Sequence, residues 1–206
     1  MQFFIVGLGN PGSEYENTRH NTGAMLLDVF RKAEGLPEWE FDKKRNVLVS
    51  EGKVGKEKVT LIFPQTFMNK SGESLKGITD LKLKGVGKGK ERRFELANLV
   101  VLHDDLDIPF GSFKISWSKS SGGHRGVESI MKTVKTEAFV RVRIGIAASA
   151  SVVKKSQDDK TVEKIILGKF TPDQMAVLKK MFKHIAEGLT VLITESRDKA
   201  MSQYHS

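Results

Sequence analysis

The chain has 206 residues, a net charge of +9 and no cysteine, a length that fits one sizeable core and leaves little room for a second. The missing thiols exclude a disulfide scaffold, a thiolate zinc site and a cysteine nucleophile, and no run approaches the ~20 apolar residues that would span a bilayer. The basic balance favours a polyanionic partner, nucleic acid above all. The N-terminus lacks the pattern of a secretory signal, so a reducing, cytoplasmic location with no membrane partner is expected.

Gln2–Gly7 reads as a short buried strand, and Thr22–Ala33 as a helix with Met25, Leu26, Val29 and Phe30 at helical spacing and Thr22 as its cap. Arg45–Glu51 and Glu57–Phe63 are β-rich runs around a glycine-containing connection, which predicts a hairpin. A short helix is expected within Lys70–Leu81, then a flexible basic loop over Lys82–Arg93, KLKGVGKGKERR. Asn98–His103 and Ser112–Trp117 read as strands, Gly126–Lys135 as a helix, and Phe139–Ala147 as a strand with basic residues on one face. A polar linker is expected over Ser149–Lys160, and a long amphipathic helix over Pro172–Glu195 with proline near its start. Strands interleaved with helices predict an α/β fold, a single domain over residues 1–206 with a mixed, twisted sheet flanked by helices.

The stretch GLGNPG, Gly7–Gly12, fits G-x-G-x-x-G letter for letter. A dinucleotide loop would open directly into a helix whose N-terminus receives the pyrophosphate. Here the next residues are polar up to Met25, and Pro11 removes a backbone N–H from the loop. The better reading is a turn that holds Asn10 at a strand end, followed by a polar segment delivering Tyr15 and His20.

Three further polar clusters follow strands or turns. HDDLDIPFGS, His103–Ser112, offers Asp104, Asp105 and Asp107, either as a carboxylate that orients a histidine or as a divalent-metal site, or else as a capped turn. PQTFMNKSGES, Pro64–Ser74, offers Asn69 as a neutral hydrogen-bonding group, with Phe67 and Met68 as apolar walls. KSSGGHRG, Lys119–Gly126, is a glycine-rich turn into a helix carrying Arg125. No serine sits in a G-x-S-x-G elbow, and the five histidines lack H-x-x-x-H spacing. Water activated by a histidine is the economical chemistry.

With these clusters in order, the sequence closely resembles the bacterial-type peptidyl-tRNA hydrolases. The matching segments are VGLGNPGSEYENTRHNTG, PQTFMNKSG, VLHDDLDIPFGSFK, SSGGHRGVESI, RVRIGI and ILGKF, between Ile5 and Phe170. The resemblance implies hydrolysis of the ester joining a peptide to the 3′ end of tRNA, with no metal or organic cofactor and peptidyl-tRNA as the partner of a monomeric enzyme. It implies His20 as general base, Asp104 as its orienting partner and Asn10 as the residue that distinguishes peptidyl- from aminoacyl-tRNA. Asn69 would bind the peptide backbone near the scissile carbonyl, and Tyr15 and Phe67 would contact substrate. Arg125 stands where the family usually has asparagine, and Ala147–Ser149 replaces a Gly-Arg-Pro continuation. The 82–93 segment looks like an insertion that adds six basic residues and one acid. Lys114, Lys119, Lys132, Lys135, Arg141 and Arg143 are candidates for a tRNA-binding surface. Two alternatives stand beside this reading: a non-catalytic RNA-binding homologue of the same fold, and the nucleotide-dependent oxidoreductase that the polar segment after GLGNPG disfavours.

Overall fold

The computed structural model describes residues 1–81, 83–87, 93–147 and 158–205. Strand β1 (Gln2–Gly7) lies mid-sheet because both of its faces are apolar. Phe3 and Ile5 point into one core and Phe4 and Val6 into the other, so the two-residue period places hydrophobic side chains on both sides. Around it run β2 (Glu40–Asp42), β3 (Val47–Val54), β4 (Glu57–Pro64), β7 (Leu99–Pro109), β8 (Phe113–Trp117) and β9 (Val140–Ala147), in the order β2-β3-β4-β1-β7-β9-β8. β1 is parallel to β4 and β7, and β7 to β9. The outer pairs β2–β3, β3–β4 and β8–β9 are antiparallel, so the sheet is mixed.

Helices α1 (Thr22–Ala33) and α4 (Pro172–Thr194) cover one face. On the other lie α2 (Arg125–Val134) and a 3-10 segment, Met68–Leu75. α4 starts, as its sequence predicts, with a proline in its first turn, and Thr171 with Gln174 forms a capping box before it. α5 (Arg197–Gln203) closes against the edge strand β8, with the Arg197 guanidinium 4.1 Å from the Trp117 ring centroid. Fully buried side chains such as Ile5, Leu61 and Val142 each contribute roughly 1.5–3 kcal/mol, which lets the interior carry a few polar groups.

Several expectations are corrected. β7 does not stop at His103 but continues through the acidic run, with Asp104 opposite Ile144 and Asp105 opposite Gly145. Pairing to β9 overrides the turn preference of the aspartates. The expected helix within Lys70–Leu81 is the 3-10 segment, which begins two residues earlier. The basic segment is not all loop: β5 (Lys84–Val86) and β6 (Arg93–Glu95) pair antiparallel at its ends. Lys82 and residues 88–92 lie outside the described residues. The same holds for residue 148 and for 149–157 of the expected linker, while its last residues, Asp159 and Lys160, open helix α3 (Asp159–Ile166).

The first glycine of GLGNPG serves packing. A Cβ on Gly7 would sit 2.7 Å from the Gly23 carbonyl oxygen and from Leu27 Cβ, and one on Gly23 would overlap the Leu102 carbonyl. The start of α1 therefore approaches β1 and β7 closely, which brings the polar segment before it over the sheet.

Candidate active site

The carboxyl ends of β1 and β4, the HDDLD stretch of β7 and the start of α2 surround a cleft of about 560 Å3. Asn10, Tyr15, His20, Phe67, Asn69, Asp104 and Arg125 all line it, so the structure brings these seven candidates into one place.

Asn10 is held from two sides. Its backbone N–H donates to Asn21 Oδ1 at 2.9 Å, and Asn21 Nδ2 donates back to the Asn10 carbonyl at 2.9 Å. The backbone N–H of Met68 donates to Asn10 Oδ1 at 2.8 Å. With its oxygen occupied, Asn10 presents its Nδ2 donors to the cleft. This clamp also explains why α1 lacks the expected threonine cap. Asn21 is the N-cap residue but spends its side chain on Asn10, while Thr22 is the first helical residue and donates to the Arg19 carbonyl.

His20 lies in the 3-10 turn Arg19–Asn21, tied to the far segment by Arg19 N–H donating to the Gly168 carbonyl at 3.0 Å. Its Nδ1 lies 3.0 and 3.1 Å from the two carboxylate oxygens of Asp104. A carboxylate only accepts, so Nδ1 carries the hydrogen and Nε2 keeps its lone pair. Asp104 is itself buried, 3% exposed. Burial alone would raise its pKa, but the adjacent imidazoles of His20 and His124 outweigh that and hold it well below the usual carboxylate range.

His124, absent from the sequence-derived set, donates from Nε2 to Asp104 Oδ1 at 2.9 Å. Its ring centroid is 4.9 Å from that of His20 and 4.9 Å from that of His103. His103 donates from Nδ1 to the Asp104 carbonyl at 2.7 Å. Burial, then the neighbouring His124, push its pKa down to about 3. Ligand atoms of His20, Asp104 and His124 lie within 4.8 Å of one another. Their chemistry fits a proton network better than a cation: the nitrogens aimed at Asp104 both carry hydrogen, and the carboxylate accepts from both.

Tyr15 is half-buried, Asn69 exposed, and Phe67 61% exposed beside the buried Met68. Arg125 opens α2 and is solvent-exposed. The opposite wall is Val162, Glu163, Ile166 and Leu167 of α3 and its end, which the sequence reading missed. A signal existed: Asp158 accepts from the Thr161 N–H at 2.9 Å as an N-cap, ahead of apolar residues spaced four apart.

The basic residues divide. Lys114, Lys119, Lys132 and Lys135 are exposed. Arg141 is 1% exposed and donates from Nη1 to the Ser120 carbonyl at 2.6 Å. Burial, then the nearby Arg143, lower its pKa to about 10, so it stays charged at neutral pH. Arg143 pairs with Asp105 at 2.7 Å. These two arginines of β9, candidates for the tRNA-binding surface, instead brace the glycine turn and the acidic strand.

The model of the peptidyl-tRNA hydrolase family matches residues 4–206. A peptidyl-tRNA hydrolase from Thermodesulfovibrio yellowstonii is 37% identical over 98% of this chain and 97% of its own length. The chain belongs to the peptidyl-tRNA hydrolase family. Another family member, from Carboxydothermus hydrogenoformans, is also 37% identical, over 98% of both chains. The crystal structure of peptidyl-tRNA hydrolase from Acinetobacter baumannii superposes with a TM-score of 0.81 at 27% identity, covering 98% of this chain and 93% of that one. Family membership and shared fold thus agree with the α/β architecture and with a hydrolase acting on an ester. Among the described residues no helix is long and apolar enough to cross a membrane.

Proposed function

We propose that the cleft hydrolyses the ester between a peptide and the 3′-terminal ribose of tRNA, with His20 as general base. The observation that carries this reading is the Nδ1–H contact of His20 with both oxygens of Asp104, which leaves Nε2 as a base at the cleft. A water held by Nε2 attacks the ester carbonyl and gives its proton to that nitrogen. The carbonyl oxygen becomes an oxyanion, for which the Nδ2 groups of Asn10 and Asn69 are the neutral donors in reach of the cleft. Collapse expels the ribose oxygen, which takes the proton back from His20, leaving a free tRNA hydroxyl and a peptide carboxylic acid that loses its remaining proton to solvent.

Asp104 fixes the tautomer and stabilises the transient imidazolium. General-base help is typically worth ~10²–10⁴-fold, and oxyanion donors a further ~10²–10³-fold. That is enough for an ester, which is more labile than an amide and needs no metal to polarise it. Tyr15, Phe67 and the α3 wall supply surface for the nascent peptide, while Arg125 and the exposed lysines face the polyanion. The same reading carries a cytoplasmic, monomeric enzyme without cofactor or protein partner, which sedimentation of the purified protein would check in part. The test of function is release of N-acetyl-aminoacyl groups from tRNA by the purified protein, with and without chelator. Release unaffected by chelator is expected, and no release would favour an RNA-binding homologue instead.

A further inference from the structure

We infer that His124 is a positioning residue that sets the orientation of Asp104, and through it the tautomer of His20. The inference rests on the hydrolytic reading for its consequence but not for its geometry. His124 is the N-cap of α2, and its Nδ1 accepts from the backbone N–H groups of Gly126 at 3.2 Å and Val127 at 3.3 Å. Those groups only donate, so Nδ1 must accept. In a neutral imidazole the other nitrogen then carries the hydrogen, and His124 Nε2–H points at Asp104 Oδ1, 2.9 Å away. The helix start thus dictates which His124 tautomer exists.

Asp104 needs that donor. His20 Nδ1 sits almost evenly between the two carboxylate oxygens, at 3.0 and 3.1 Å, so His20 alone gives the carboxylate little reason to prefer one rotation. The bond from His124 to Oδ1 breaks the symmetry. The carboxylate is 3% exposed, so bulk water is a poor substitute for a lost donor. The His124 ring is also held between the His20 and His103 rings, each 4.9 Å away. The line of control runs from the N-terminus of α2 through His124 and Asp104 to His20 Nε2 and its water.

Two substitutions separate capping from positioning. Asparagine at 124 keeps a favoured N-cap but is too short to reach Asp104. Glutamine places an amide nitrogen at the same number of bonds as Nε2 and restores the donor. The test is ¹⁵N NMR of ring-labelled histidines on the free full-length protein, paired with steady-state kinetics. In the wild type, His124 is expected as the Nε2–H tautomer and His20 as the Nδ1–H tautomer. His124→Asn is expected to melt close to wild type, to show His20 as a mixture of tautomers, and to lower kcat by ~10-fold or more with KM within about twofold. His124→Gln is expected to restore the single His20 tautomer and most of kcat.

A wild-type His124 found as Nδ1–H overturns the inference whether or not the variants fold. So does a folded His124→Asn protein in which His20 keeps one tautomer and full kcat. If the spectra follow expectation while the wild type releases no peptide from tRNA, the positioning role stands and the hydrolase reading falls.

Discussion

His20 directs the Nδ1 face of its ring at both oxygens of Asp104, 3.0 and 3.1 Å away, across 84 positions of sequence. The contact joins the polar segment before α1 to the middle of β7. It does so inside a wall of apolar strands, where a lone carboxylate would be costly. The pairing makes one imidazole nitrogen a fixed donor and the other a free base.

Replacing Asp104 by asparagine keeps the volume but puts an amide where two N–H groups now donate. Either one N–H loses its acceptor or His20 takes the other tautomer, which places hydrogen on Nε2 and removes the base. Asp104→Asn is expected to lower kcat at least tenfold, with tRNA affinity within about threefold. A variant with wild-type turnover would remove the orienting role. EDTA is expected to leave wild-type turnover unchanged. Loss in EDTA with recovery on adding magnesium would make His20, Asp104 and His124 metal ligands instead.

The buried His103 has a consequence for stability. Its pKa falls from 6.5 to about 3 on folding, so between those values the unfolded chain binds a proton that the folded one does not. Stability is fully present above pH ~6.5 and declines as pH falls, by up to ~1.4 kcal/mol per unit. The depressed Asp104 acts lower: its contribution is lost only as pH drops below its ordinary value of 3.8. Urea unfolding of the wild type and of His103→Asn at pH 7 and pH 5 singles out His103. His103→Asn is expected to lose less stability between those pH values than the wild type, and equal losses would contradict the assignment.

Arg125 tests the polyanion side. It is exposed at the cleft, where an arginine adds charge suited to phosphate. Binding of tRNA is expected to weaken at least tenfold from ~50 to ~200 mM salt, as a handful of phosphate contacts requires. Arg125→Asn should reduce the logarithmic salt slope by about one contact and keep kcat within about tenfold. An unchanged slope would take Arg125 out of the tRNA contact. If the wild type is inert and Arg125→Asn gives it activity, the arginine blocks catalysis.

What was legible in the sequence follows from how local each signal is. The ends of α1, Thr22 and Ala33, were legible from its apolar spacing and from Thr22 read as a cap, although the cap position belongs to Asn21. β1 was legible because a central strand carries apolar residues on both faces. β7 was cut short because three aspartates read as a turn until the partner strand β9 is known. α3 was missed because a polar run precedes it, although Val162 and Ile166 are spaced for one helical face. Arg141 was misplaced because a basic residue in a strand reads as exposed, and only the fold shows the Ser120 carbonyl that receives it. Within the site, Asn10 and His20 stood out by their polar settings, while only the family resemblance separates Asp104 from Asp105 and Asp107. His124 and Asn21 did not, because their partners are a helix start and a backbone turn that exist only once the chain has folded.

The central claim is that His20 is the base that activates water on a peptidyl-tRNA ester. Its most direct test is single-turnover release of N-acetyl-aminoacyl groups from tRNA by wild type and His20→Ala, with tRNA binding measured on the same samples. The account predicts release by the wild type, a fall of ~10²–10⁴ in the variant, and tRNA affinity within about threefold. A His20→Ala protein that keeps more than about a tenth of wild-type turnover would contradict it.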